Sequence, residues 1–335
     1  MSCPLYNQSL SFTATVTSIC CLSALLAILE NTAVLLSVQK ITSLRKTSRY
    51  FMISLAAGEL FSTVIGNSFL SAWLILNHYS HENGTALWKM ESTMWCLTTM
   101  VTTYNLVNVA LDRYVAITSP LHYYTKMSSK KCLTLIGFAW LLSFLSGLVV
   151  YLIPQEYLPK VWTYGPIVVV LVPLCIIAFC YFGIYRASKG TFPARVNIID
   201  AQQELENKRQ RKTALTFGII TVLFFVLFAP VIIFNFIQLL THEIELCVSP
   251  TERKVWICIA VVSYWSAISD PWVYTIRMPE FRAAFKKSRP PFCKNSCNFS
   301  EKRCQDGKKD ESEIKQNGFQ ETGVAYEKEI FDTAL

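Results

Sequence analysis

Apolar residues run along this chain in long stretches, and polar residues gather in short clusters between them. Seven stretches are long enough to cross a hydrocarbon layer about 30 Å thick, which takes roughly 20 helical residues. They are Ser11–Val38, Arg49–Leu76, Glu91–Ile117, Cys132–Pro154, Tyr164–Tyr185, Thr213–Leu240 and Val255–Ile276. A backbone in lipid must satisfy its own hydrogen bonds, so such runs predict helices. The fold class is therefore all-α, a seven-transmembrane helix bundle over residues 11–277. Residues 1–10 form an outer N-terminus, and the first run is expected to insert itself. The loops are short except for residues 187–211, a polar stretch expected to extend the fifth and sixth helices. After the seventh run, "MPEFRAAFKKS" sets Phe281 and Phe285 four apart, with Arg282, Lys286 and Lys287 on another face. That pattern predicts a short amphipathic helix over residues 278–288 lying on the inner membrane surface. Residues 289–335 are rich in Lys, Glu, Asp and Gln and are expected to form a disordered cytoplasmic tail.

Composition agrees: of 335 residues, 52% are hydrophobic and 16% charged, too apolar a balance for a soluble domain. The net charge of +8 is distributed asymmetrically. Lys40, Arg45, Lys46 and Arg49 follow the first run, Lys126, Lys130 and Lys131 the third, and Arg186, Lys189, Arg195, Lys208, Arg209, Arg211 and Lys212 the fifth. The opposite loops hold only Lys89, Lys160, Arg253 and Lys254. Basic residues mark the cytoplasmic side, so the N-terminus is expected outside at the plasma membrane and the C-terminus inside. The charge is then a topology signal, and no nucleic-acid motif accompanies it. Sequons at Asn7 and Asn83 fall outside and are candidate glycosylation sites, whereas the one at Asn298 falls inside. Of the twelve cysteines, Cys3 and Cys247 sit clearly outside and are the candidates for a disulfide. Cys293 and Cys297, just past the amphipathic segment, are candidates for palmitoylation, with inert thiols as the alternative.

Ionisable groups within a span are costly and mark function by default. Here they are Glu30, Glu59, Glu91, Asp112, Arg113 and Asp270. Nothing resembles a catalytic triad or a metal-binding motif, so an enzyme is not expected. A multispan transporter using Glu59 and Asp270 as an ion or proton site is one reading. No internal repeat supports it, however.

The polar positions are also ordered along the spans: "LENTAV" in the first helix, "SLAAGEL" in the second, "LDRYVAI" ending the third and Trp140 in the fourth. Pro173 with Tyr181 follows in the fifth, "FAP" in the sixth and "DPWVY" in the seventh. This set, from about Ser11 to Lys287, resembles the rhodopsin-like (class A) G protein-coupled receptors. The resemblance implies heterotrimeric G protein, arrestin and receptor-kinase partners. It casts Asp112, Arg113 and Tyr114 as the inner switch, in which Asp112 holds Arg113 at rest and Arg113 reaches toward Tyr181 and Tyr274 on activation. Leu121 resembles the loop residue that inserts into the G protein. Many relatives restrain the arginine with an acid at the inner end of helix six; here Gln210 stands in its place. Arg113 is therefore expected to have Asp112 and water as its only restraints, and ligand-free signalling is expected to be raised. Asn31, Glu59, Thr102 and Asp270 occupy the family's sodium-binding positions. Two close carboxyls either hold a cation between them or share a proton. No other cofactor is implied.

By the same resemblance the outer halves of helices three, five, six and seven form the ligand pocket, which draws on Glu91, Trp95, Cys96, Thr98 and Thr99 of helix three, Phe228, Val231 and Asn235 of helix six, and Ser263, Tyr264 and Trp265 of helix seven. Amine receptors carry an Asp where this chain has Trp95, which implies a non-amine ligand. Trp88 stands where most members have a helix-three Cys, and "PQEYLPKVWTY" lacks its partner. With Glu30-Asn31 this resembles the melanocortin, cannabinoid and lysophospholipid branch; Asp270 and Cys247 lean toward the melanocortin type, and Pro173 leans away. Asn235, Thr99 and Ser263 resemble adenosine receptors instead. A small-molecule, lipid or peptide ligand stays open.

The chain's last residues, Thr333-Ala334-Leu335, fit the motif by which a PDZ-domain protein captures a free carboxylate and buries a terminal Leu. Appending one residue after Leu335 is expected to abolish binding of a PDZ domain to the tail, measured by fluorescence anisotropy of a labelled peptide.

Overall fold

The computed structural model describes residues 8–41, 44–79, 84–189, 198–240 and 249–288. Asn7, Asn83, Cys3, Cys247, Cys293, Cys297, Thr333 and Leu335 lie outside the described residues. The chain divides at Phe285 into the compact unit described here and a second unit, residues 286–335.

Helix one is Leu10–Val38, begun by Ser9, whose hydroxyl accepts from the Phe12 backbone N–H. Helix two spans Lys46–Tyr79. Helix three is Gly84–Thr118, followed by a short inner helix at Tyr123–Lys126. Helix four is Ser129–Leu152, with Ser128 as its N-cap. Helix five is Leu158–Lys189 and helix six is Ile198–Leu240, so the polar stretch between the apolar runs does lengthen both helices. Helix seven comes in two pieces, Pro250–Tyr264 and Ser266–Arg277, and is begun by a capping box of Ser249 and Glu252. The helix predicted on the inner surface follows at Pro279–Ser288.

Among the described residues, five helices are long and apolar enough to cross a membrane by length and composition: one, two, four, five and six. Helix three differs because its interior is polar: Thr98, Thr99, Thr102, Thr103, Asn105 and Asn108 are all buried. Helix seven differs because Trp265 divides it. The outward faces are apolar, with Leu22, Leu25, Leu29, Leu141, Leu148, Phe179, Phe182, Val222 and Ile233 all exposed. This is the inverse of a soluble domain, and it suits a surface solvated by lipid tails.

Two departures from regular helix position the polar interior. Helix two passes through a π-helical turn at Ser62–Gly66, a feature for which the chain carries no proline signal. It lays Gly66 against helix seven: a Cβ there would stand 2.8 Å from the Tyr264 hydroxyl. In helix seven, Pro271 has no N–H to give the carbonyl four residues back, that of Ala267. The Asn31 amide takes that carbonyl at 2.8 Å and also donates to Ala27 at 3.0 Å, tying helix one to helix seven.

Helices two, three and four meet at Ser54. Its hydroxyl donates to Asn105 Oδ1 at 2.6 Å and accepts from Trp140 Nε1 at 3.1 Å. Ser54→Ala strands both partners in a place without water, at a cost of about 1–3 kcal/mol each. A lowered melting temperature of the detergent-solubilised protein is the expected readout.

Candidate functional site

At the inner end of helix three a buried charged network replaces the simple pair expected from the sequence. Arg113 is only 1% exposed, one of the largest fully buried side chains. Its Nε donates to Asp112 Oδ2 at 3.0 Å, and a second nitrogen pairs with the same oxygen. Its Nη1 donates to Gln210 Oε1 at 3.0 Å, and Nη2 donates to Ser48 Oγ. Ser48 in turn donates to Asp112 at 2.9 Å. The guanidinium also stands 5.8 Å from the Phe217 ring centroid. The expectation that Asp112 and water alone restrain Arg113 is therefore corrected. Gln210 has no charge, but its carbonyl oxygen reaches where an acid would, and helices two and six close over the pair.

Sequence reasoning missed Tyr123. Its hydroxyl donates to Asp112 Oδ1 and takes part in a 2.5 Å hydrogen bond with Thr47. The Arg45 guanidinium lies 4.1 Å over the ring. Tyr123 is buried and its neighbour Tyr124 exposed, and nothing local in "HYYTK" distinguishes them. Phe217, also missed, touches both Arg113 and Tyr274, the latter at 5.8 Å between ring centroids. It lies between the switch arginine and one of the tyrosines that the resemblance sets as its destination. The Tyr274 hydroxyl is buried with no hydrogen-bond partner, and Tyr181 lies beside Thr221. Tyr114 packs against helix five, where a Cβ on Gly183 would stand 2.4 Å from its ring. Leu121 projects from the inner loop, 82% exposed.

Deeper in the bundle, Asn31, Glu59, Thr102 and Asp270 are all buried. The Glu59 and Asp270 carboxyls are close enough to repel, and Thr102 lies beside Glu59. Glu59 Oε1 has no hydrogen-bond partner, and Asp270 accepts from Ser269 at 3.3 Å. Two carboxyls, one of them with an orphaned oxygen, and a hydroxyl form an oxygen-only donor set, which fits a small hard cation.

The outer-half residues named from the resemblance are buried apart from Cys96, which is partly exposed, and Trp265, which is 41% exposed at the break in helix seven and so does not face inward as expected. Thr98, Asn235 and Ser263 spend their donors on their own helices, at Met94, Val231 and Ala260. Phe228 stacks on Phe224 at 4.3 Å and approaches Trp95 at 6.4 Å, while Val231 is buried in the same core. Trp95 and Cys96 also line a cleft with Ser92, Val150, Val161, Gly165, Pro166 and Val169. Apart from Ser92, those neighbours come from helix five, which was expected at the pocket without any of its residues being named, and from helix four, which sequence reasoning left out. Their identities are those of ordinary lipid-span residues, so no local signal marks them.

The profile of the 7 transmembrane receptor (rhodopsin family) matches residues 30–274, covering both polar centres. The chain belongs to that family. It is thus a multi-pass membrane protein of a receptor family rather than an enzyme. Among curated relatives, the muscarinic acetylcholine receptor M3 of Gallus gallus is 25% identical over 207 residues, 56% of this chain and 32% of that receptor. The same receptor of Pongo pygmaeus is 31% identical over 125 residues, 36% of this chain and 20% of that receptor. The adenosine receptor A2a of Canis lupus familiaris is 25% identical over 303 residues, 79% of this chain and 69% of that receptor. The chain therefore spans a third or less of the muscarinic relatives it matches.

Burial, the facing Asp112 carboxylate and the hydrogen bond to it push the Tyr123 phenol up from 10.0 to about 12. The folded state holds this proton more tightly than the unfolded one, so the stabilisation is complete below pH 10 and fades between pH 10 and about 12. Tyr123→Phe is expected to be less stable than the parent at neutral pH. That difference should shrink as pH rises through this window, followed by denaturation at a series of pH values.

Proposed function

We propose that this chain is a ligand-activated G protein-coupled receptor of the plasma membrane, with its N-terminus outside. The Asp112–Arg113 network is the gate through which it signals to a heterotrimeric G protein. The observation that carries this reading is the buried guanidinium bridging helices two, three and six at the inner mouth, with Phe217 between it and Tyr274. A ligand that favours an outward position of helix six lengthens the Arg113–Gln210 bond and frees the guanidinium for the tyrosines. Leu121, exposed beside this mouth, is the contact offered to the G protein. Arrestin and receptor kinases follow as partners from the family, and a PDZ-domain protein from Thr333 and Leu335. Glycans on Asn7 and Asn83, palmitate on Cys293 and Cys297, and a Cys3–Cys247 disulfide complete the reading.

Gln210 sets the resting balance. A hydrogen bond from guanidinium to a neutral amide is weaker than one to a carboxylate, so this receptor signals appreciably without ligand. Glu59, Asp270 and Thr102 hold a sodium ion that favours the resting state by bridging helices two, three and seven. The ion supplies the charge neutralisation that two neighbouring carboxyls need.

The ligand site lies in the outer halves of helices three, five, six and seven. Trp95 fills the level at which amine receptors pair an ammonium with an acid, which supports a non-amine ligand. The melanocortin-like pattern of Glu30-Asn31, Asp270 and Cys247 and the adenosine-like set of Asn235, Thr99 and Ser263 name the two ligand types to try first.

Gln210→Glu is expected to lower ligand-independent signalling and Gln210→Leu to raise it. A change of about 1.5 kcal/mol in the lock corresponds to roughly tenfold in the resting equilibrium. Cyclic AMP and calcium reporters in transfected cells give the readout, with surface expression matched. A basal level equal to that of untransfected cells would refute the reading.

A further inference from the structure

Helix six turns Gln210 toward Arg113, but the residues on either side of it look elsewhere. Arg209 and Lys212, three apart and so neighbours on the helix surface, line a cleft at the inner end of the bundle. Arg277 and Glu280 complete its polar wall where helix seven gives way to the helix at Pro279–Ser288, and the buried Leu44 and Met278 form its apolar part. Arg209 Nη2 lies 3.8 Å from Glu280 Oε1, with 41% and 38% of the two side chains exposed. Such a pair is weak, and it engages one of the three cations. Arg277 is half-buried, and its Nε is buried with no hydrogen-bond partner.

The gathering of Lys and Arg on the inner side places cations at this level. It does not account for three of them around one cleft, nor for a guanidinium N–H withheld from water and left unpaired, which is costly. Three cations against one acid leave two positive charges facing the cleft. A phosphomonoester carries about −1.5 to −2 at neutral pH and three acceptor oxygens, so it matches both the charge and the donors. The height of the cleft names the source. Leu215, one turn outward from Lys212, and Ile276, next to Arg277, are 56% and 67% exposed and suit acyl chains. The cations therefore stand where the headgroups of the cytoplasmic leaflet lie.

We propose that this cleft binds the phosphomonoester headgroup of an inner-leaflet lipid, with Arg277 and Lys212 as its contacts and Arg209 shared between the phosphate and Glu280. Lys212 and Arg209 belong to helix six and Arg277 to helix seven, so the bound phosphate ties the two helices and holds helix six inward. The site stands on the cleft alone; its effect on signalling rests on the receptor reading.

The test uses the full chain, purified in detergent, with thermal unfolding followed against rising concentrations of dioctanoyl phosphatidylinositol phosphate, dioctanoyl phosphatidylinositol and soluble inositol bisphosphate. The first is expected to stabilise the protein at a concentration at least about tenfold below the second, which lacks the phosphomonoester. Inositol bisphosphate, without acyl chains, is expected to need more than the first. Arg277→Gln and Lys212→Gln are each expected to raise the concentration of phosphatidylinositol phosphate required by about tenfold. Lys130→Gln, which removes an exposed cation at the inner end of helix four, is expected to leave it unchanged. Equal response of the parent to the two lipids, or equal loss in Lys130→Gln, would overturn the site, and the parent comparison holds even if a variant misfolds. Inositol bisphosphate acting as well as the lipid would overturn the membrane as its source. Nucleotide exchange on a G protein, measured in phosphatidylcholine nanodiscs with and without phosphatidylinositol phosphate, is expected to be slower with it. Selective binding with unchanged exchange removes the hold on helix six and keeps the site, whereas no exchange in either membrane removes the receptor reading and keeps the site.

Discussion

In hydrocarbon a polar group has no solvent to turn to, so each donor and acceptor within the bundle must find its partner on the chain or on something the chain binds. The arrangement of the helices follows from that constraint. Apolar side chains do not need the interior, because lipid accepts them equally well, and they cover the outward faces of helices one, four, five and six. The interior is left to hydroxyls, amides and acids. Helix three, which carries most of them, sits against its neighbours with its threonines and asparagines buried.

Many of those groups are satisfied within one helix turn. Thr103, Ser143, Thr216 and Thr221 each donate to the carbonyl four residues back. These bonds solve the local problem but do not join helices. Joining falls to longer bonds, among them Asn31 to the carbonyl that Pro271 leaves free, Trp272 to Glu30, Asn108 to Leu135, Ser54 between Asn105 and Trp140, and Arg113 with Asp112, Ser48 and Gln210. The last of these is the most consequential because it closes the inner mouth. It combines a charge-assisted pair, which holds within helix three, with a neutral amide bond to helix six. The guanidinium thus joins helix six to helix three through a neutral partner, while its charged partner lies on its own helix.

The acids deeper in the bundle show the same constraint unsatisfied. Glu59 keeps one oxygen without a partner, and Glu91 keeps both. Their surroundings differ. Glu59 faces a second carboxyl and a hydroxyl, a set of oxygens suited to a bare ion. Glu91 lies within electrostatic reach of the Tyr264 phenol of helix seven.

The architecture was legible from the sequence because hydrophobic run length and loop charge are local quantities. Seven spans, the longer fifth and sixth helices and the helix at Pro279–Ser288 all follow from them. The order of the polar residues along those spans sufficed to identify the family. What required tertiary structure was which polar groups meet. Gln210 looked like a missing lock because only its lack of charge is visible in the sequence; that its oxygen reaches Arg113, 97 residues away, depends on how helices three and six pack. Tyr123 is one of two adjacent tyrosines after helix three, and only the fold brings its hydroxyl, rather than that of Tyr124, to Asp112. The π-helical turn near Glu59 and the break at Trp265 carry no proline of their own, so they too come from packing. The sequence by itself determined how many helices there are, since that is set by the free energy of moving each segment from water to lipid. The pairing of the few polar groups inside was decided by the tertiary structure, since a hydrogen bond depends on tenths of an ångström between residues far apart in the chain.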